Sequence, residues 1–128
     1  MINEVIPLAL ALERKKAGFY HRARETVSRS SLKEIFLKLE EEEREHQDKL
    51  LSIEIPALPE EIIIYLRSLT QDQEKKEILD EAIDWEKSSC IFYTLIKKYN
   101  PLSSLIQQIL EDEKRHLATL AALYSTHP

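Results

Sequence analysis

Chain-breaking and cross-linking residues are scarce in this sequence. One glycine and five prolines occur in 128 residues, too few for a turn-rich β fold, and long helices are the expectation. A single cysteine, Cys90, excludes a disulfide within the chain, and without a Cys-x-x-Cys pair there is no thiolate site for zinc or iron. Such cysteine usage fits a reducing compartment, so a cytoplasmic location is expected. No apolar run approaches the roughly 18 residues that a membrane span needs, and no membrane partner is expected. The start, Met1-Ile2-Asn3-Glu4, lacks the basic residues of a signal peptide, and the apolar stretch from Val5 to Leu12 runs straight into charges. A basic stripe is also missing: Lys+Arg number 18 against Asp+Glu 23, a formal net charge of −5, which argues against a nucleic-acid surface.

What is present suits a folded helical protein. Hydrophobic residues make up 43% and charged residues 32%, enough for a core within one domain spanning 1–128. A first helix is predicted from about Asn3, a plausible N-cap, to Arg29, with Pro7 tolerated near its first turn. Ile6, Leu10, Ala17, Tyr20 and Val27 recur on one face of it, and Glu13 lies in the same stripe. Ser30-Ser31 with Glu34 forms a capping-box pattern ahead of a second helix, Leu32 to about Ser52. Its inward stripe is Leu32, Ile35, Phe36, Leu39, Glu43, His46 and Leu50. Pro56 and Pro59 interrupt the chain before a short helix, Glu60 to Leu69. A third long helix, Gln73 to Tyr99, carries Leu79, Ala82, Ile83, Glu86, Cys90, Tyr93 and Ile96 inward, and Asn100-Pro101 ends it. The last, Leu102 to Tyr124, turns Leu105, Ile106, Ile109, Leu110, Glu113, His116 and Leu120 inward. The fold class is therefore all-α: a four-helix bundle with a long crossover, containing a short helix, between its second and third helices, the connectivity of ferritin-like bundles.

Charged residues inside apolar stripes carry the chemistry. A lone glutamate followed by Glu-x-x-His occurs twice: Glu13 with Glu43 and His46, and Glu86 with Glu113 and His116. The lone glutamates are 73 residues apart and the histidines 70 apart, and a tyrosine follows each lone glutamate by seven, Tyr20 and Tyr93. The chain thus reads as an internal duplication of a helix pair. Residues at i and i+3 share a helix face, so each Glu-x-x-His pair can reach one metal ion. One such pair in a glutamate-rich helical chain is weak evidence; two, each with a glutamate on a neighbouring inward stripe, form the ligand set of a two-metal site in a bundle core. Mixed oxygen and nitrogen ligands suit two iron ions, or manganese, rather than calcium or structural zinc. Four buried carboxylates without a cation would repel one another, so metal binding and stability should be linked.

Around these six residues the sequence leaves alternatives open. Tyr20 and Tyr93 read equally as core aromatics, as donors to a ligand carboxylate, or as redox-active phenols. Glu42 and Asp112, each four before a histidine, read as solvated acids within acidic runs, with orientation of an imidazole as the alternative. Cys90 and Trp85 are expected to pack, His21 and His127 to lie on the surface, and Ile62 to Leu66 to cover the bundle or meet a second copy.

Leu12-Glu13-Arg14-Lys15…Gly18-Phe19-Tyr20, Glu41-Glu42-Glu43-Arg44-Glu45-His46, Glu86-Lys87-Ser88…Ile91-Phe92-Tyr93 and Glu111-Asp112-Glu113-Lys114-Arg115-His116 resemble the rubrerythrin-like branch of the ferritin-like superfamily. The resemblance covers nearly the whole chain and is weakest in the crossover. It implies a non-haem di-iron oxidoreductase that reduces peroxide or oxygen, as in defence against oxidative stress, or a ferroxidase that oxidises ferrous iron. It also implies a homodimer and a separate electron donor. Two departures stand out: the four-cysteine rubredoxin module is missing, and the family's extra glutamate, three residues after the lone glutamate of the third helix, is Ser89. A non-catalytic helical scaffold with a structural metal is the alternative from another class.

Overall fold

The apolar three- and four-residue spacing becomes five α-helices in the computed structural model, which describes residues 4–126. They are α1 (Val5–Thr26), α2 (Ser30–Leu50), α3 (Glu60–Leu69), α4 (Ile78–Tyr99) and α5 (Ser104–Thr126), with no strand among the described residues. The arrangement is compatible with a helical bundle. α1 packs along α2, and α4 along α5; α1 also meets α4, and α2 meets α5. The short α3 lies against α1 and α4. None of these helices is long and apolar enough to cross a membrane.

The helix starts depart from the sequence pattern, each for a local reason. Asn3, the expected first cap, lies outside the described residues. α1 begins at Val5, and the Leu8 amide bonds the Glu4 carbonyl at 3.0 Å. Pro7 sits in the first turn, where its missing N–H costs nothing. α2 begins at Ser30, so both serines fall inside the first turn and the expected capping box does not form; Arg29 is the extended residue ahead of it, without a side-chain cap. α4 starts at Ile78 rather than Gln73, because Gln73-Glu74-Lys75-Lys76-Glu77 offers no apolar face to bury. α5 starts at Ser104, two residues beyond Leu102, which is almost wholly exposed. Ser103 caps it: its hydroxyl accepts the Ile106 amide at 3.2 Å.

The inward stripes form one core. Leu12, Tyr20, Phe36, Leu50, Leu66, Phe92, Tyr93, Ile96, Ile106, Ile109 and Leu120 have no solvent exposure. Ile6, Val27, Leu32, Ile35, Leu79, Ile83 and Leu105 border it half-buried. The Ile62–Leu66 cluster divides: Leu66 is buried, Ile62 and Ile63 pack against the core, and Ile64 and Tyr65 face solvent. Its role is thus mainly to cover the core.

A correspondence of the two helix pairs extends into the packing. Phe19 and Tyr20 meet edge-on with centroids 5.4 Å apart, and Phe92 and Tyr93 do the same at 5.2 Å. Burial of this apolar surface, at about 25 cal/mol per Å², is the main force that brings the charged stripe residues together.

Candidate metal centre

All six residues of the doubled pattern are buried: Glu13, Glu43, Glu86 and Glu113 are 0% exposed, and His46 and His116 are 1% exposed. They converge from four helices, Glu13 on α1, Glu43 and His46 on α2, Glu86 on α4, and Glu113 and His116 on α5. Two groups of donor atoms result. One is Glu13, Glu43, His46 and Glu113; the other is Glu43, Glu86, Glu113 and His116; within each, the donor atoms lie within 4.8 Å of one another. Glu43 and Glu113 belong to both groups, the arrangement of bridging carboxylates between two cation positions.

The imidazoles are aimed by their far nitrogens. His46 Nε2 donates to Asp112 Oδ2 at 2.9 Å, and His116 Nε2 to Glu42 Oε2 at 3.2 Å. Each acid therefore serves the histidine of the opposite helix, not the one four residues along its own. Arg115 ties the two acids together, at 2.8 Å from Glu42 and 2.9 Å from Asp112. Although partial burial alone would raise their pKa values, the Arg115 and histidine contacts hold both carboxyls below their usual range. The expectation that Glu42 and Asp112 are merely solvated acids is thus overturned. With Nε2 engaged, Nδ1 of each ring faces the carboxylates: His46 Nδ1 is 3.4 Å from Glu13, and His116 Nδ1 is 3.0 Å from Glu43 and 3.1 Å from Glu86. This is the arrangement that orients an imidazole toward a metal.

The tyrosines cross over in the same way. Tyr20 on α1 donates to Glu86 Oε2 on α4 at 2.9 Å, and Tyr93 on α4 donates to Glu13 Oε1 on α1 at 2.7 Å. Of the sequence readings, donation to a site carboxylate is the one the geometry matches. Burial, then the charge of the glutamate each one faces, pushes both phenol pKa values well up. Both hydroxyls therefore stay protonated and act as fixed donors.

One member of the site escaped the sequence reading. Lys16 on α1 is 0% exposed, and its ammonium reaches Glu43 at 3.0 Å, Glu86 at 2.5 Å, and Glu113 more closely still. Burial by itself would drive this amine toward its neutral form. The charges of Glu113, Glu43, Glu86 and Glu13 outweigh it and hold the ammonium charged. A signal was present: Lys16 follows Glu13 by three, on the same face, and corresponds to Ser89, which follows Glu86 by three. Ser89 is buried too, but its hydroxyl donates to its own helix at the Trp85 carbonyl, 3.0 Å away.

Protons and the Lys16 ammonium offset the carboxylate charge of the cluster. Burial, followed by repulsion from Glu43, raises the Glu13 carboxyl to about 7. His46 is desolvated, yet the facing carboxylates of Glu13 and Glu43 raise it to about 11. Glu13 Oε2, both oxygens of Glu43, Glu86 Oε1, Glu113 Oε1 and His46 Nδ1 are buried without a well-directed hydrogen bond, although Lys16 and the histidines lie close to several of them. Buried polar atoms are rarely left so, and these two groups of oxygen and nitrogen donors could hold a metal ion.

The surroundings behave as ordinary structure. Cys90 is half-buried, and desolvation, then the nearby Glu113 and Glu86, pushes its thiol up to about 11, well away from reactivity. Trp85 packs in the core. His21 is partly exposed and pairs with Glu25 at 3.0 Å, and His127 lies outside the described residues. Glu40, within the acidic run, is buried rather than solvated and is bonded by Arg24 and Arg44. Comparison with protein-family models, with curated proteins and with solved structures gives no match.

Proposed function

We propose that this chain is a metal-dependent oxidoreductase of the rubrerythrin-like kind within a ferritin-like bundle. In this reading the segment between α2 and α4 is the crossover, iron or manganese is the metal, and peroxide or oxygen is the oxidant. The observation that carries it is the pair of buried donor groups sharing Glu43 and Glu113. Glu13, Glu43, His46, Glu86, Glu113 and His116 would hold the metal, which when bound supplies electrons to the oxidant and neutralises the carboxylates.

The chain's own residues prepare that chemistry. Asp112 and Glu42 fix the imidazole rings so that Nδ1 points inward. Tyr93 holds Glu13 through Oε1, leaving Oε2 for a cation, and Tyr20 holds Glu86 through Oε2, whose Oε1 meets Lys16. The surrounding core excludes bulk water, which strengthens every charge interaction within the site. A separate electron donor and a second copy of the chain complete the proposal; Ile64 and Tyr65, exposed on α3, are available for such a contact.

The test combines elemental analysis of natively purified protein with stopped-flow mixing of Fe(II)-loaded protein against peroxide or oxygen. Bound iron or manganese and an oxidation phase faster than that of free iron are expected, with the phase lost in Glu43→Ala. Absence of any redox metal would sink this reading in favour of a helical scaffold, the role that the Lys16 ion cluster would otherwise serve. Uptake of many irons per chain would point instead to ferroxidase or storage activity.

A further inference from the structure

We propose that Lys16 is a built-in occupant of one of the two cation positions, so that the chain takes up a single divalent metal ion beside a fixed ammonium. This rests on the metal-centre reading above and narrows it.

The two donor groups are not equally satisfied. Lys16 pairs with Glu43, Glu86 and Glu113, which are all three carboxylates of the group that includes His116. It makes no ion pair with Glu13. In the other group, Glu13 Oε2 and His46 Nδ1 stand 3.4 Å apart, both buried and both without a hydrogen-bond partner. Glu113 Oε2 meets Lys16, while Oε1 faces both histidines, 3.5 Å from His46 Nδ1 and 3.3 Å from His116 Nδ1. One position therefore has all three of its carboxylates paired with the ammonium, while in the other neither Glu13 nor His46 forms an ion pair with it.

The asymmetry is written into the duplicated pattern. At the position corresponding to Lys16, the second half has Ser89, whose hydroxyl turns back to its own helix and adds no charge. Among the described residues, nothing mirrors the ammonium on the His46 side. A divalent ion placed among Glu43, Glu86 and Glu113 would sit at ion-pair distance from a like charge, and the lysine that holds that charge has no solvent-exposed surface along which to leave. An ion among Glu13, Glu43, His46 and Glu113 would share two carboxylates with Lys16, but Glu13 and His46 are not paired with the ammonium.

The experiment is a titration of metal-free protein with Mn(II), followed by desalting and elemental analysis, with electron paramagnetic resonance as a second readout. Wild type should hold one ion per chain, with the spectrum of isolated Mn(II). Lys16→Ser, which copies the second half, should hold two, with the spectrum of a coupled pair. His46→Ala should lose the wild-type ion. Two ions in wild type, or one ion unchanged in Lys16→Ser, would overturn the inference while leaving the metal centre standing. No ion in any variant would overturn the metal-centre reading itself and this inference with it. If Lys16→Ser does not fold, the wild-type count and its loss in His46→Ala still decide between one ion and two.

Discussion

The α1–α2 half and the α4–α5 half supply the site with matching side chains. Glu13 answers Glu86, Tyr20 answers Tyr93, Glu43 answers Glu113, His46 answers His116, and Glu42 answers Asp112. Their supporting bonds run crosswise, each tyrosine and each outer acid serving the opposite half. Inside the ion cluster the correspondence fails at one place, Lys16 against Ser89. The lesson is that a repeated pattern can deliver a repeated set of buried acids and histidines and still surround its two halves unequally. A single long cationic side chain is enough, because in a buried cluster one charge changes the balance for every neighbour.

The comparison can be broken first at the outer acids. Asp112→Asn withdraws the anionic acceptor from His46, and Glu42→Gln does so from His116. Loss of such a partner weakens metal binding by about 10- to 100-fold. If the halves are unequal, Asp112→Asn should carry the larger loss in a Mn(II) titration, and equal losses would favour equivalent positions.

A second test uses pH on the metal-free protein. Glu13 and His46 both have raised pKa values in the folded state, to about 7 and about 11. The folded state thus holds protons that the unfolded chain would release. The Glu13 contribution is complete below its ordinary 4.5 and lost as pH rises through about 7; that of His46 is complete below 6.5 and lost toward about 11. The Tm of metal-free protein should fall between pH 5 and 9, by roughly 5 °C or more. Because a metal must displace the proton on His46, Mn(II) should bind more tightly over the same rise. A flat Tm profile would show that these protons are not linked to folding.

The tyrosines offer a smaller contrast. Tyr20→Phe and Tyr93→Phe each remove one hydrogen bond to a site carboxylate, and hydrogen bonds to charged groups are worth about 1.5–3 kcal/mol. Urea unfolding should show losses near the low end, since Lys16 still pairs with Glu86. Tyr93→Phe should cost more, because Glu13 has no ammonium in contact. The least effect is expected outside the cluster. Glu40, held by Arg24 and Arg44, corresponds to Leu110 in the other half, so Glu40→Leu exchanges a buried ion pair for an apolar contact. Such exchanges are often nearly neutral, and a change within about 1 kcal/mol by urea unfolding is expected. A large loss would mean that the arginines need Glu40 to stay buried.

Much of the site is legible in the sequence. Glu43 and His46 fall in the apolar stripe of their helix, as do Glu113 and His116, and helix periodicity turns such residues inward whatever their charge. The short helix from Glu60 to Leu69 is legible from Pro59 and the prolines' spacing. Helix starts are less so, since a cap depends on backbone geometry at one residue, and Ser30 and Ser103 look alike in sequence. The outer acids are not legible, because within-helix spacing ties Asp112 to His116, whereas its carboxylate reaches His46 on another helix.

Sequence alone determined the helices, the inward placement of six ligand-type residues and their repetition, because these follow from periodicity along one chain. Only the tertiary structure decided what Lys16 does. A lysine three residues after a glutamate ordinarily lies in solvent, and its ammonium is held buried here by carboxylates from α2, α4 and α5, none of them its neighbour in the chain. Which carboxylates the ammonium meets is therefore a property of packing between helices, which no single helix pattern records.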